Sequence, residues 1–179
     1  MKKAPLLLLL SITLARANAQ LEFAHLSTKG YNAFGAGAMF SYGLAVSRGD
    51  AITFDVGILF FRDAIVDPGS GIGYRYTFNR KGFGFYLEPE ISWAYSGVNI
   101  PRQDSSRYPL LRDHQGNFRQ PDLDGLVPFL TAGYIFPGRF ALNVGLRYGH
   151  IFTLDGDPGV DIFSLRLSHT IVFGRENYR

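Results

Sequence analysis

The stretch Ala33–Ser47, AFGAGAMFSYGLAVS, alternates between two kinds of side chain along its whole length. Its even-numbered positions are mostly bulky and apolar, and its odd-numbered positions are mostly glycine, alanine and serine. Successive side chains of a β-strand point to opposite faces of the sheet. The stretch therefore predicts one long strand with a bulky apolar face and a face of small residues.

The same two-residue period recurs along the chain, and no segment of useful length shows the 3.6-residue period of a helix. The chain holds 21 glycines in 179 residues, well above the average share of about 7%, which favours crowded β-strands. The segment 126–136 is apolar on both faces, so its phase stays open, and 21–27 has the weakest pattern. We predict an all-β fold with strands at residues 21–27, 33–47, 52–61, 71–78, 83–96, 126–136, 140–149 and 163–173.

The connections between these strands alternate in length. Those at 47–50, 79–82 and 137–139 are tight turns rich in Gly, Asn and Pro, and those at 63–69, 97–125 and 153–160 are longer. If both termini lie on one side, the tight turns share that side, and the longer loops share the other with the short connection 28–30. Short periplasmic turns and longer extracellular loops are typical of outer-membrane barrels. The predicted fold is an eight-stranded antiparallel up-and-down transmembrane β-barrel.

The alternation alone does not say which face points outward, because a soluble ligand-binding barrel has the same period with its apolar face inside. Here the less bulky face is mostly Gly, Ala, Ser and Thr, with about one charge per strand, and lacks the dense Lys and Glu of a surface in water. No charge interrupts the bulky face on the clearly phased strands, and aromatic residues concentrate near strand ends, as in membrane barrels. We expect the bulky face to contact lipid; a soluble periplasmic barrel is the alternative.

The N-terminus has the pattern of a secretory signal peptide. Lys2 and Lys3 precede the apolar run Ala4–Ala15, and Ala17-Asn18-Ala19 is a cleavage signal. We predict a cleaved signal peptide at 1–19, a barrel at 20–174 and a short tail at 175–179. Removing the three bases of the leader leaves 15 Lys and Arg against 15 Asp and Glu, so net charge gives no reason to expect a nucleic-acid partner.

Six charged side chains fall on the predicted inner face. A buried charge without a partner is costly, so we expect these acids and bases to pair and to close the lumen. A gate or narrow ion path is the alternative. Pro89 lies between Glu88 and Glu90 on one strand and cannot donate a ladder hydrogen bond, and we expect a bulge to relieve it. The predicted luminal network consists of Asp55, Arg75, Glu88, Glu90, Arg147 and Arg166.

The segment Phe85–Ile91, FYLEPEI, resembles a recurring strand of the small outer-membrane β-barrel domain family, also called the porin family. In that strand, aromatic and aliphatic residues lead into Pro-Glu and then into a loop that begins at a glycine, here Gly97. The resemblance implies a bacterial outer-membrane location, with membrane lipid, lipopolysaccharide and the barrel-assembly machinery as partners. One departure is the end of the chain, where the aromatic residue that often ends such barrels, here Phe173, is followed by Gly174–Arg179.

His150 and Asp161 share the lipid-facing phase of neighbouring strands. They resemble the His and acid of barrel-surface lipid A deacylases, whose serine lies two residues after the His, but that position is Phe152. A serine hydrolase needs a hydroxyl, an imidazole and a carboxylate in hydrogen-bonding series, so we expect no catalytic residue. The four histidines lack metal-ligand spacing, and we expect no cofactor.

The connection 97–125 is long, and long loops are often functional. Its mixed charge and its arginines suit contact with a protein, a glycan or lipopolysaccharide phosphate. We expect a non-enzymatic barrel that interacts at the cell surface through its loops; the alternatives are a lipid A-modifying hydrolase and a narrow pore for ions or small solutes. The candidate interaction residues are Arg102, Arg107, Tyr108, Arg112 and Arg119.

Overall fold

The computed structural model describes residues 15–28, 31–47, 49–61, 64–67, 70–79, 82–98, 125–137, 141–153 and 159–172. Nine β-strand segments run through these ranges. Within them, no helix is long and apolar enough to span a bilayer. The strands are β1 Ala15–Thr28, β2 Tyr31–Ala45, β3 Ala51–Phe61, β4 Ala64–Asp67, β5 Gly71–Thr77, β6 Gly84–Val98, β7 Gly125–Ile135, β8 Ala141–Thr153 and β9 Val160–Val172.

The strands form one closed antiparallel sheet. Each strand position pairs with the next along the chain, and β1 pairs with β9 to close the wall. The segments β4 and β5 occupy a single position, since both lie between β3 and β6. The wall therefore has eight positions, which confirms the eight-stranded up-and-down barrel. We call the end with connections 45–51, 77–84 and 135–141 the turn end, and the opposite end the loop end.

The expected loop at 63–69 is wrong, because Ala64–Asp67 forms β4 and pairs with both neighbours. Val66 is opposite Leu59, and Gly71 is opposite Asp55. The chain thus takes five steps from Val66 to Gly71 while β3 takes four. One more residue therefore separates β4 from β5 than the register of β3 requires. This extra residue shifts the alternation by one, which hid the strand in the sequence pattern.

The bulge expected at Pro89 is also absent. The register pairs Gly73 with Glu90 and Tyr76 with Leu87, three residues apart on each strand, so β6 carries no extra residue there. The recorded β5–β6 pairs skip the two positions opposite Pro89 and Glu88, whereas pairing with β7 is continuous. The missing proline N–H is therefore tolerated as an interrupted ladder on the β5 side.

The two faces of the wall differ in polarity as expected. On β7, whose phase was open, Val127 and Phe129 point inward and Leu126 and Leu130 point outward. On β5, Arg75 is buried inside while its neighbours Tyr74 and Tyr76 are exposed outside. On the described strands, the outer face is mostly exposed apolar and aromatic side chains, and the six predicted luminal charges are buried inside. This arrangement is the reverse of a soluble barrel.

Inside the wall, the buried side chains form three layers. The middle layer holds the charges. Toward the loop end lies an apolar layer, whose members include Leu26, Leu59, Val127, Ile151 and Ile162. Toward the turn end lie neutral polar residues, namely Asn18, Gln20, Ser41, Asn143 and Ser168.

Glycines on the inner face let the layers fill the lumen. A Cβ on Gly149 would collide with the ring of Phe129, and a Cβ on Gly133 would lie 2.6 Å from ring atoms of Tyr86. The small inward residues of the sequence pattern therefore make room for a few large inward side chains. An eight-stranded barrel has an interior that side chains can fill.

Candidate functional site

All six side chains of the predicted luminal network are buried on the inner face of the wall. Asp55 comes from β3, Arg75 from β5, Glu88 and Glu90 from β6, Arg147 from β8 and Arg166 from β9. Their alternating positions place them all on the inner face, and the register of the strands brings them to the same layer, where they form two clusters that the sequence did not distinguish.

The larger cluster joins Arg147 and Arg166 to three carboxylates. Arg147 Nη2 lies 2.6 Å from Glu90 Oε1, and its Nη1 lies 3.4 Å from Glu22 Oε1. Arg166 Nε lies 3.2 Å from Glu22 Oε2, and its Nη1 lies 3.2 Å from Asp55 Oδ2. A weaker contact of 3.6 Å joins Arg166 Nη2 to Glu90 Oε2. Each guanidinium therefore bridges carboxylates from different strands.

Glu22 is a luminal charge that the sequence analysis missed. It is fully buried, contacts both arginines of the larger cluster and accepts a hydrogen bond from Ser164 Oγ. The expected balance of three acids and three bases is therefore wrong, and the described layer holds four carboxylates and three guanidinium groups. The signal was available, because Glu22 stands between Leu21 and Phe23, which both point outward.

The smaller cluster is built around Arg75 and Glu88. Arg75 Nη2 lies 2.8 Å from Glu88 Oε2, and Arg75 Nε donates to the same oxygen at 2.9 Å. Thr53 Oγ1 donates to Glu88 Oε1 at 2.6 Å, so both carboxylate oxygens are engaged. The guanidinium carbon of Arg75 also lies 4.9 Å from the centre of the Tyr86 ring. Charge and hydrogen bonding are thus matched around this pair.

Arg147 connects the charged layer to the apolar layer. Its side chain is fully buried, and its guanidinium carbon lies 3.3 Å from the centre of the Phe129 ring, close enough for a cation–π contact. Met39 Sδ lies 3.7 Å from Arg147 Nη1 and 3.5 Å from Arg166 Nη2. The charged layer and the apolar layer are therefore in direct contact at Arg147.

A second polar cluster lies outside the wall at the loop end. His150 and Asp161 are directly opposite each other on β8 and β9, with His150 Nδ1 2.8 Å from Asp161 Oδ1. Tyr148 donates its hydroxyl to the same oxygen at 2.7 Å. The ring of Phe152 stands edge-on to the imidazole at 4.7 Å between centres. The structure thus brings together the His and acid that the sequence suggested, with Tyr148 as an additional member.

The order of groups at this cluster does not match a serine hydrolase. Phe152 occupies the position at which the deacylase pattern has a serine, and it is exposed on the outer face. Ser27 is opposite Asp161 on β1, but it lies on the far side of Asp161 from His150. In the catalytic series the imidazole stands between the hydroxyl and the carboxylate.

The predicted loop residues Arg102, Arg107, Tyr108, Arg112 and Arg119 lie outside the described residues. In the part of the chain that is described, no group of three or more His, Asp or Glu side chains is arranged to hold a metal ion. The candidate sites that the structure describes are therefore the charged layer in the lumen and the polar cluster at the loop end.

No family model matches this chain, and no curated protein matches its sequence. Among solved structures, the chain is similar to Neisserial surface protein A, with a TM-score of 0.62 and 15% identity over 89% of this chain and 97% of that one. It is also similar to Ail, the attachment invasion locus protein of Yersinia pestis, with a TM-score of 0.51 and 8% identity over 88% of this chain and 97% of that one. At these identities the likeness concerns the fold: this chain folds as the eight-stranded outer-membrane barrels do.

Proposed function

We propose that this chain is an integral β-barrel of the bacterial outer membrane. The observation that carries the proposal is the reversed polarity of the barrel, with arginines and carboxylates inside and an apolar belt outside. A lipid environment accepts such a belt, and a closed wall leaves no unpaired sheet edge in hydrocarbon. Leader-free protein that stays monodisperse in buffer without detergent would contradict the proposal.

The proposal includes the cleaved signal peptide at 1–19. In the structure, β1 begins at Ala15 and passes through the expected cleavage site at Ala19. Cleavage would leave Gln20–Thr28 as the first strand of the mature wall. A membrane-spanning strand needs about 9–11 residues, so this shortened strand is still long enough. Export by this route would deliver the chain to the barrel-assembly machinery, its proposed partner in insertion.

We further propose that the protein is non-enzymatic and acts at the cell surface through its loop-end connections, chiefly residues 97–125. Two observations support the non-enzymatic part: the exposed Phe152 at the deacylase serine position, and the wrong order of Ser27, Asp161 and His150. The arginines of the long connection suit sulfate, phosphate or carboxylate groups of a glycan, lipopolysaccharide or protein.

Deleting residues 103–119 is expected to leave the barrel folded and to abolish partner binding. The deletion spares the wall, because β6 ends at Val98 and β7 begins at Gly125. Folding is measured by heat-modifiable gel mobility, and binding by adhesion of expressing cells to surfaces coated with lipopolysaccharide, sulfated glycan or matrix protein. A matched variant keeps the loop length and replaces Arg102, Arg107, Arg112 and Arg119 with Gln. Retained adhesion in the deletion variant would contradict a surface role for this loop.

We also propose a closed lumen. In a planar bilayer, the purified barrel is expected to show no steady conductance of ions or sugar-sized solutes, because Arg147 and Phe129 join the charged and apolar layers across it. The matched control replaces both residues with Ala. This change removes the contact between the two layers and is expected to raise conductance. Steady conductance of the unmodified protein would favour the narrow-pore alternative, provided that gel mobility shows a folded barrel.

A further inference from the structure

A row of polar side chains crosses the outer face of four neighbouring strands at the loop end. His150 of β8 is opposite Asp161 of β9, Asp161 is opposite Ser27 of β1, and Ser27 is opposite Asn32 of β2. Residues directly opposite each other in an antiparallel sheet share a face. We call these four residues the rim row. His25 lies on the same face of β1, two residues from Ser27, opposite Phe34 and Phe163.

The rim row lies between exposed aromatic side chains. Tyr148, Phe163 and Phe34 are exposed on its turn-end side, and Phe152 is exposed on its loop-end side. Aromatic residues of membrane proteins concentrate at the level of the lipid headgroups. Polar side chains beside such aromatic residues meet headgroup atoms, because hydrocarbon would leave their hydrogen bonds unmade.

The chemistry of the row favours a neutral, hydroxyl-rich headgroup. The side chain of Asp161 is 48% exposed, and its Oδ1 is held by Tyr148 and His150, so the carboxylate is fixed in place beside the lipid. Ser27 and Asn32 add both donors and acceptors. The described side chains next to the row on the outer face are aromatic, and neither they nor the row supply a Lys or an Arg. A phosphate group is recognised by such cations and would be repelled by Asp161.

The outer surface on the turn-end side of the row is apolar and suits contact with an acyl chain. On the turn-end side of the row, the outer faces of β1 and β9 present Phe23, Leu21 and Leu165, all exposed. An amphiphile aligned with the wall would place its chain on this apolar surface and its headgroup at the rim row.

We propose that the rim row binds the sugar headgroup of a glycolipid in the adjoining leaflet. Sugar hydroxyls donate to the carboxylate of Asp161 and exchange hydrogen bonds with Ser27 and Asn32, and the aromatic side chains contact the apolar faces of the sugar rings. The inference rests on the proposed insertion in the membrane. It does not depend on the loop 97–125 or on the absence of catalysis.

The test uses the full mature barrel, folded in dodecylphosphocholine micelles with its histidine rings labelled for NMR. Dodecyl maltoside, which has the same chain length and a sugar headgroup, is titrated in. Saturable shifts of the His150 and His25 rings are expected. Asp161→Asn is expected to weaken the binding by about tenfold or more, as for the loss of a hydrogen bond to a charged group. Ser27→Ala and Asn32→Ala provide independent variants that leave the carboxylate in place.

The matched control is Asp50→Asn, because Asp50 is a carboxylate at the turn end that accepts a hydrogen bond from Ser47 at 2.7 Å. This variant is expected to leave the titration unchanged. Shifts that never saturate, or that are equal in Asp161→Asn and the unmodified protein, would overturn the proposal, as would stronger binding of dodecyl phosphate. A chain that does not fold in micelles contradicts the membrane barrel, whereas a folded barrel without saturable shifts contradicts the rim row alone.

Discussion

Replacing Arg147 with Met is expected to lower the free energy of unfolding by about 3–5 kcal/mol, the usual cost of removing one partner from a buried ion pair. The change leaves Glu22 and Glu90 in a buried layer with Arg166 as the remaining guanidinium of their cluster. It also removes the contact with the Phe129 ring, 3.3 Å from the guanidinium carbon. Urea unfolding in phospholipid vesicles measures the effect through the fluorescence of Trp93, the single tryptophan.

The control for this prediction adds a second change in the same cluster. Glu90→Gln removes the carboxylate that lies 2.6 Å from Arg147, so the double variant Arg147→Met with Glu90→Gln has one less uncompensated negative charge than the single variant. It is expected to be more stable than Arg147→Met alone. A loss below about 1 kcal/mol in the single variant would mean that water screens the charged layer as it screens a surface pair.

Replacing Leu130 with Lys is expected to lower the free energy of unfolding in vesicles by about 2–4 kcal/mol, because a lysine on the lipid face near mid-depth is costly. Leu130 lies at the centre of β7 and is exposed on the outer face. In a soluble barrel the same substitution would place a lysine in water at little cost. The substitution therefore tests the orientation of the wall toward lipid.

The matched control is Leu126→Lys, four residues nearer the loop end on the same face of the same strand. The cost of a lipid-facing charge falls to about 0–1 kcal/mol near the membrane surface, so this variant is expected to be almost as stable as the unmodified protein. Equal losses at the two positions would contradict a membrane boundary between them.

The fold was predictable because a strand in a membrane barrel has one face in lipid and one in the lumen, and every second residue reports on one face. The same period put Asp55, Arg147 and the other four predicted charges on one face, and the structure has all six side chains buried. It could not show which of them pair, since the pairs of the larger cluster join strands that are distant in sequence. Glu22 and Glu90 are 68 positions apart, yet both contact Arg147.

The errors have local physical causes. One extra residue lies between β4 and β5, so a period-two pattern breaks there and resembles a loop. Pro89 suggested a bulge because it lacks an N–H, but the wall loses pairing on one side and keeps its register. Glu22 was missed because the strand 21–27 has the weakest pattern overall, although Leu21, Glu22 and Phe23 alternate clearly within it. The apolar layer was not foreseen, because alternation places a residue inside without giving its height in the barrel.

The contact between Glu22 and Arg166 lies on the seam where the first and last strands meet, since these residues are directly opposite each other. They are 144 positions apart in the chain, so ring closure waits until nearly the whole polypeptide is available. A slip of the seam by two residues would preserve the inside-outside pattern but place Glu22 opposite Ser164 or Ser168. Glu22 would then lose the guanidinium directly opposite it, so this ion pair favours the observed closure over the other registers that the inside-outside pattern would allow.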